Sequence, residues 1–244
     1  MDNRKKYLLD MHTHTVASGH AYNTINEMAH AAAEAGLEIL GITEHSMTMP
    51  GTCHEFYFQN LKTACRNVEG VELCLGVELN IINYNGDIDM DEKLLREMDV
   101  VIASVHNNIG YTSGTTEENT RAVIGAIKNP LINIIGHPDD SRVPLNYEEI
   151  VLAAKEYKTL LEINNSSLTP GSFRADPEQN DLKILELCKQ YEVPVIIGSD
   201  AHSVDKVANN QYAMKLVEQT GFPEELLMNY YPEKLKSYIN KYKL

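Results

Sequence analysis

The sequence predicts an α/β fold: seven strand–helix units whose strands run parallel. Three observations predict it. Short apolar segments alternate with amphipathic helical ones along the chain. The apolar segments are continuous runs, the pattern of parallel strands covered on both faces. Their ends also recur at a near-constant interval: His14, His45, Glu78, His106 and His137 are 31, 33, 28 and 31 residues apart, followed by Asn164 after 27 and Asp200 after 36. One strand, a crossover helix and two loops need about 30 residues. Such a chain closes into a barrel or opens into a doubly wound sheet. In both, the carboxyl ends of the strands form the functional rim.

The elements follow in order. Tyr7 to Leu9 is a short strand that ends in Asp10-Met11-His12-Thr13-His14. A polar loop to His20 leads to a helix with capping residues at Asn23 and Thr24 and an acid at Glu27, stopped by Gly36. Leu37–Thr43 is the second strand, ending at Glu44-His45, and residues 54–68 are expected to be one helix. Val71–Val77 ends at Glu78, and the Asn85-Gly86 turn within residues 81–89 predicts a small hairpin. A short helical turn at Glu92–Glu97 precedes the strand Asp99–Val105. The remaining strands are expected at Leu131–Gly136, Thr159–Asn164 and Pro194–Ser199, and the helices at 116–127, 147–157 and 177–191. The tail is expected to be one helix over 204–220 followed by two short ones.

Composition sets the class. With 244 residues, 43% of them hydrophobic, the chain suits one soluble domain over 1–244 with a full core. No run is long and apolar enough for a membrane span or a signal peptide, and the four scattered cysteines show no paired spacing, so a cytoplasmic location is expected. The net charge of −14 disfavours nucleic acid, whose binding rests on basic residues. It also repels phosphorylated ligands unless a local positive centre, such as bound metal, overrides it. Oligomeric state is open, a homo-oligomer included.

Nine residues with metal-ligand side chains stand at or just past the strand ends: His12, His14, His20, His45, Glu78, His106, His137, Asp200 and His202. They include seven of the nine histidines in the chain. Packing gives no reason to gather histidines at one end of successive strands, and buried imidazoles and carboxylates are costly without partners. The convergence points to a metal centre. Nine ligands exceed the four that one zinc needs, so two or three ions with bridging carboxylates are expected. Bridged metals suit phosphate-ester hydrolysis, because they activate water and clamp the attacking and leaving oxygens. An amide hydrolase is the alternative at this point. Of the other two histidines, His30 sits mid-helix and reads as structural, while His54 opens a helix beyond the second strand, within reach of the rim. Asp10 and Glu44 lie beside ligands and have the chemistry to orient a histidine ring.

The ordered motifs Asp-x-His-x-His-Thr from Asp10, Ile-Thr-x-His ending at His45, Glu78, Ser-x-His ending at His106, His137-Pro138 and Gly-Ser-Asp-Ala-His from Gly198 resemble the PHP (polymerase and histidinol phosphatase) family. The stretches around His14–Thr24, Glu162–Ser167 and Gly198–His202 look most like its YcdX-type phosphatase branch. The resemblance implies a distorted, TIM-like (β/α)7 barrel. It also implies three divalent ions, zinc first, with manganese or iron in some members. It assigns His12, His14, Glu78 and Asp200 to one ion, Glu78, His106 and His137 to a second, and His20, His45 and His202 to a third. Three departures stand out: Glu44 where relatives more often have Asp, Asn107-Asn108 after His106 in place of Glu-Pro, and Asp139-Asp140 after His137-Pro138.

The expected function is hydrolysis of small phosphate monoesters by a metal-activated hydroxide, with His12, His14, Glu78, His106, His137 and Asp200 catalytic. Arg174 and Ser166, with Asn165 and Ser167 beside them, are the expected contacts for phosphate or leaving group. A nuclease or phosphodiesterase, a histidinol phosphatase and a non-catalytic metal-binding module are the competing readings.

Overall fold

The computed structural model describes residues 6–243. Seven parallel strands form the path β1 (Leu9–Asp10), β2 (Ile39–His45), β4 (Val71–Asn80), β5 (Val101–Ser104), β6 (Ile134–Gly136), β7 (Leu160–Asn164) and β8 (Val195–Gly198), and an eighth, β3 (Asn67–Val68), pairs antiparallel with β4 outside that path. The sheet closes nearly into a barrel. At the last seam, a parallel bridge joins Thr13 to Ala201 near the rim. Lower down, side chains replace the ladder. Asp10 accepts the N–H groups of Ser199 and Ala208. Asn229 receives the Ile197 N–H and donates to the carbonyls of Leu9 and Ile197. Asp10 is therefore a seam residue and orients no histidine ring.

Two cores result. Inward-pointing Ile39, Cys74, Ile102, Ile134, Leu160 and Ile196 fill the lower barrel, joined by Met228, Leu235 and Ile239 from the tail. The tail thus plugs the bottom, each of its three side chains contributing roughly 1.5–3 kcal/mol of burial. The outward faces of the strands pack against the helices α1 (Ile25–Ala35), α4 (Thr116–Ile127), α5 (Tyr147–Tyr157), α6 (Pro177–Tyr191) and α7 (Gln211–Thr220). Thr24 with Glu27 and Thr115 with Glu118 form complete capping boxes on α1 and α4. Such a cap contributes about 1 kcal/mol.

Several boundaries differ from the sequence expectations. The helix expected over 54–68 is only α2 (Glu55–Asn60), followed by a 3-10 turn at Leu61–Thr63 and β3. Glu69 and Gly70 both take left-handed backbone (φ 51 and 88), which forces a tight hairpin from β3 into β4. The helix expected over 204–220 is a 3-10 turn at Val204–Lys206 and then α7. Ala208 breaks it at φ 61, held by its bond to Asp10. Asn165 then caps α7 from another part of the chain, accepting the N–H groups of Tyr212 and Ala213. The first strand is shifted to Leu9–Asp10, and the sixth starts only at Ile134. The short helical turn is α3 (Glu92–Leu95), and the hairpin arms at Ile81 and Ile88 pair through one bridge. The tail holds one short α-helix, α8 (Pro232–Leu235), with three 3-10 turns in place of two helices. No described helix is long and apolar enough to cross a membrane.

Candidate metal centre

The two-residue period of a strand points Glu78 and Asn80 of β4, Ser104 of β5 and Glu162 of β7 inward, above the apolar layer. Glu78 is fully buried and its two oxygens face different neighbours. Oε2 lies 3.5 Å from Nε2 of both His12 and His14 and 2.7 Å from Nδ1 of His45. Oε1 lies 2.8 Å from Nε2 of His137 and 3.4 Å from Nε2 of His106, and receives the Ser104 hydroxyl at 2.7 Å. Asp200 Oδ1 completes the first group, 3.6 Å from His12 Nε2 and 3.3 Å from His14 Nε2.

These side chains fit metal ions. His12 Nε2, His14 Nε2, His45 Nδ1 and Glu78 Oε2 are buried without a hydrogen-bond partner, although they crowd together. Four of the six edges among His12, His14, Glu78 and Asp200 measure 3.3–3.6 Å. A tetrahedral ion with bonds of about 2.1 Å has edges of about 3.4 Å. Two further groups, His12–Glu78–His137 and His45–Glu78–His106, meet at the same carboxylate, and a third joins His14, His45 and His202. His20 belongs to none of these groups. It is exposed at the rim, its ring stacked 4.8 Å from that of His45 and 4.9 Å from that of His202.

The other face of most rings is tied down. His12 Nδ1 lies 2.7 Å from Glu162 Oε1, His14 Nδ1 3.1 Å from Ser18 Oγ, His106 Nδ1 2.8 Å from Asn80 Oδ1 and His202 Nδ1 3.0 Å from the Asp200 carbonyl. Each bond places the ring proton on Nδ1 and leaves Nε2 free to bind metal. Asn80 is held in turn by Asp89. Glu162 and Asn80 had no assigned role in the sequence reading. Their signals are a lone acid inside the apolar run Leu160–Ile163 and an amide two residues beyond Glu78, on the same face.

Charge is unevenly distributed among these groups. Burial opposes ionisation of Glu78 and Asp200, but the surrounding histidines outweigh it and hold both carboxyls well below the usual range. Burial, then His45, pushes His14 well below the ordinary histidine value, and burial, then Arg174, lowers His137 to about 4. For His12, burial is outweighed by Glu162, Asp200 and Glu78, which raise it well above that value. His137 and Asp200 both have positive φ (31 and 52). Strain of this kind, about 1–3 kcal/mol each, collects at functional sites. At His137 it is held by the bond from its N–H to Glu162 Oε2 at 2.8 Å.

The PHP-domain family model matches residues 10–169. The chain belongs to the PHP family. This PHP chain is 43% identical over 234 residues to a probable phosphatase of Clostridium novyi, covering 96% of this chain and 95% of the relative. It is 44% identical over 236 residues to a probable phosphatase of Caldicellulosiruptor bescii, covering 97% and 95%. The PHP barrel is similar in structure to histidinol phosphate phosphatase from Lactococcus lactis complexed with zinc, L-histidinol and phosphate. The TM-score is 0.59 at 20% identity, over 89% of this chain and 95% of that one. At that identity the likeness shows a shared fold.

Above the centre, the PHP barrel opens into a cavity of about 760 Å³. One wall carries Arg174, Ser166, Asn165, Arg142 and Phe173. The Arg174 side chain is nearly buried, and its Nε stands 3.9 Å from Asp139 Oδ1. Arg142 is paired with Asp140, and both guanidiniums lie 5.3 Å from the Phe173 ring. Ser167 points down to Asn164 instead, and Asn165 caps α7 as described. His54 accepts the Phe56 N–H and caps α2, and it lines no part of the cavity. His30 is exposed and pairs with Glu69.

Proposed function

We propose that residues 1–244 form one domain that hydrolyses small phosphate monoesters at a centre of three divalent ions, zinc first, with manganese or iron as alternatives. The observation that carries the proposal is Glu78: a single buried carboxylate whose two oxygens face two different sets of imidazoles, Oε2 the unpaired nitrogens of His12, His14 and His45 and Oε1 the Nε2 atoms of His106 and His137. That is how a bridging ligand is disposed. The phosphatase names of relatives at above 40% identity across nearly the whole chain support the same reading, as do the motifs that resemble the YcdX-type branch.

On this reading His12, His14, Glu78 and Asp200 hold one ion, and Glu78, His106 and His137 a second. His20, His45 and His202 hold a third, with His20 at its open edge. When bound, the ions supply activation of water and offset the charge of the phosphoryl oxygens. The chain does the rest. Glu162, Ser18 and Asn80 keep three rings in the ligating tautomer. Arg174, next to His137, donates to the phosphoryl oxygens, and Ser166 sits beside it. The volume above accommodates a leaving group of metabolite size, while the net charge of −14 disfavours nucleic acid.

The test is removal of metal by a chelator and its restoration with zinc, manganese or iron. Activity is measured on p-nitrophenyl phosphate, its bis ester, histidinol phosphate and single-stranded DNA. Loss and recovery of monoesterase activity is expected. Full activity after complete metal removal would overturn the proposal, and a rate on the bis ester or on DNA above that on monoesters would overturn the substrate class.

A further inference from the structure

The loop between β1 and α1 is held to β2 by one acid. Glu44 is fully buried and accepts from four donors: the Thr15 N–H at 3.0 Å, the Thr15 hydroxyl, the Ser18 hydroxyl at 2.6 Å and the Tyr57 hydroxyl at 3.3 Å. Ser18, also fully buried, lies at the end of a 3-10 turn (Val16–Ser18) capped by Thr15. The next residue, Gly19, has φ 80, and a Cβ there would lie 1.9 Å from the Gly51 carbonyl oxygen. The loop therefore has little freedom.

The Ser18 oxygen has one hydrogen and two lone pairs. Glu44, an acceptor, takes the hydrogen. The His45 N–H occupies one lone pair at 3.0 Å. The lone pair left over faces His14 Nδ1 at 3.1 Å, so that nitrogen must be the donor. The accounting allows one tautomer of His14, with Nε2 bare among Glu78 and Asp200. It also ties the His14 ring to the peptide of His45, whose own ring faces the same Glu78 oxygen, Oε2.

We propose that Ser18 and Glu44 are positioning residues that lock the tautomer of His14 and fix its ring to the His45 peptide, setting the affinity of the centre for metal. The proposal rests on the metal-centre reading above. If Glu44 could donate, the Ser18 hydrogen would be free to turn toward His14 Nδ1 and move the ring proton to Nε2, where an ion should bind.

The experiment uses metal-free protein titrated with Co2+ and Zn2+ against a chelator, with the visible spectrum of the Co2+ form as second readout. Ser18→Ala and Glu44→Gln are compared with Thr15→Val, which removes another donor to Glu44 but leaves the Ser18–His14 bond. Melting of each metal-free variant reports folding. Ser18→Ala and Glu44→Gln are expected to weaken one class of sites by about 10–100-fold and to change its Co2+ spectrum. Thr15→Val is expected to lower the melting temperature while keeping wild-type affinity and spectrum. Should Ser18→Ala fail to fold, Glu44→Gln decides. Wild-type affinity and spectrum in the folded Ser18 or Glu44 variants overturn the inference, as does equal loss in Thr15→Val. Wild-type protein that takes up no metal overturns the metal-centre reading and this inference with it.

Discussion

Glu162 Oε1 lies 2.7 Å from Nδ1 of His12, and its other oxygen receives the backbone N–H of His137 at 2.8 Å. One carboxylate from β7 thus fixes a ring from β1 and a strained peptide from β6. Glu162→Ala leaves His12 without an orienting acceptor and His137 without the bond that holds its positive φ. We expect metal affinity to fall about 10–100-fold. Competition with a chelator measures it, and unchanged affinity would show that Glu162 is packing alone.

Gly198 is required by that same carboxylate. A Cβ on Gly198 would stand 1.9 Å from Glu162 Oε1 and 3.0 Å from His12 Cβ. Both contacts are inside the barrel, where neither strand can retreat. Gly198→Ala should cost about 1–3 kcal/mol of stability and displace Glu162, lowering metal content as well. Denaturant titration and metal analysis report the two effects separately; a fully loaded and equally stable variant would contradict the packing described.

Arg174 lines the cavity above the centre, and its Nε stands 3.9 Å from its acidic partner Asp139. A hydrogen bond to a charged group contributes about 1.5–3 kcal/mol. Arg174→Ala is therefore expected to lower kcat/KM for a phosphate monoester roughly 10–150-fold while leaving metal content intact. Arg174→Lys should recover only part, since lysine lacks the planar fork. Steady-state kinetics beside metal analysis settles it: a rate equal to wild type removes Arg174 from the substrate contacts.

Asp181 of α6 is buried with no hydrogen-bond partner on either carboxylate oxygen. Burial, then Asp139 and Glu162, raises its carboxyl well above the usual range. An unfolded aspartate titrates near ~3.9, so the folded chain holds the proton to higher pH. Folding then takes up a proton, and stability falls as pH rises from the unfolded value through the folded one. Asp181→Asn removes that dependence. The variant should gain about 1–3 kcal/mol, with a larger gain at pH 8 than at pH 5. Urea titrations at the two pH values check it, and an equal or reversed gain would be inconsistent with the buried carboxyl.

Much of the candidate centre could be read from the sequence because its histidines and acids follow strand ends, and strand ends announce themselves through apolar runs and spacing. His12, His14, His45, Glu78, His106, His137, Asp200 and His202 all reach one cluster. His20 stands beside this cluster, placed there by a loop whose path depends on Glu44 and on the approach of Gly19 to Gly51. The roles of Glu162 and Asn80 were hidden for a related reason: each acts on a ring from a strand distant in sequence. The overlong helices had a local signal that was overridden. The first ends where the chain turns extended at Ala64 to pair β3 with β4, and the second is interrupted by left-handed backbone at Ala208, held by a bond to Asp10.

By itself, the sequence determined the succession of strands and helices along the chain, the parallel α/β class and which residue types crown each strand, because periodicity and composition are local properties. Only the tertiary structure decided that Asp10 and Asn229 stitch the barrel seam, that the tail plugs its base, and that Glu78 turns one oxygen to each of two histidine groups. It also decided which nitrogen of His12, His14, His106 and His202 is tied to a hydrogen-bond partner and which is left bare. That choice depends on hydrogen-bond partners up to 150 residues away along the chain, as for His12 and Glu162, and no local pattern encodes it.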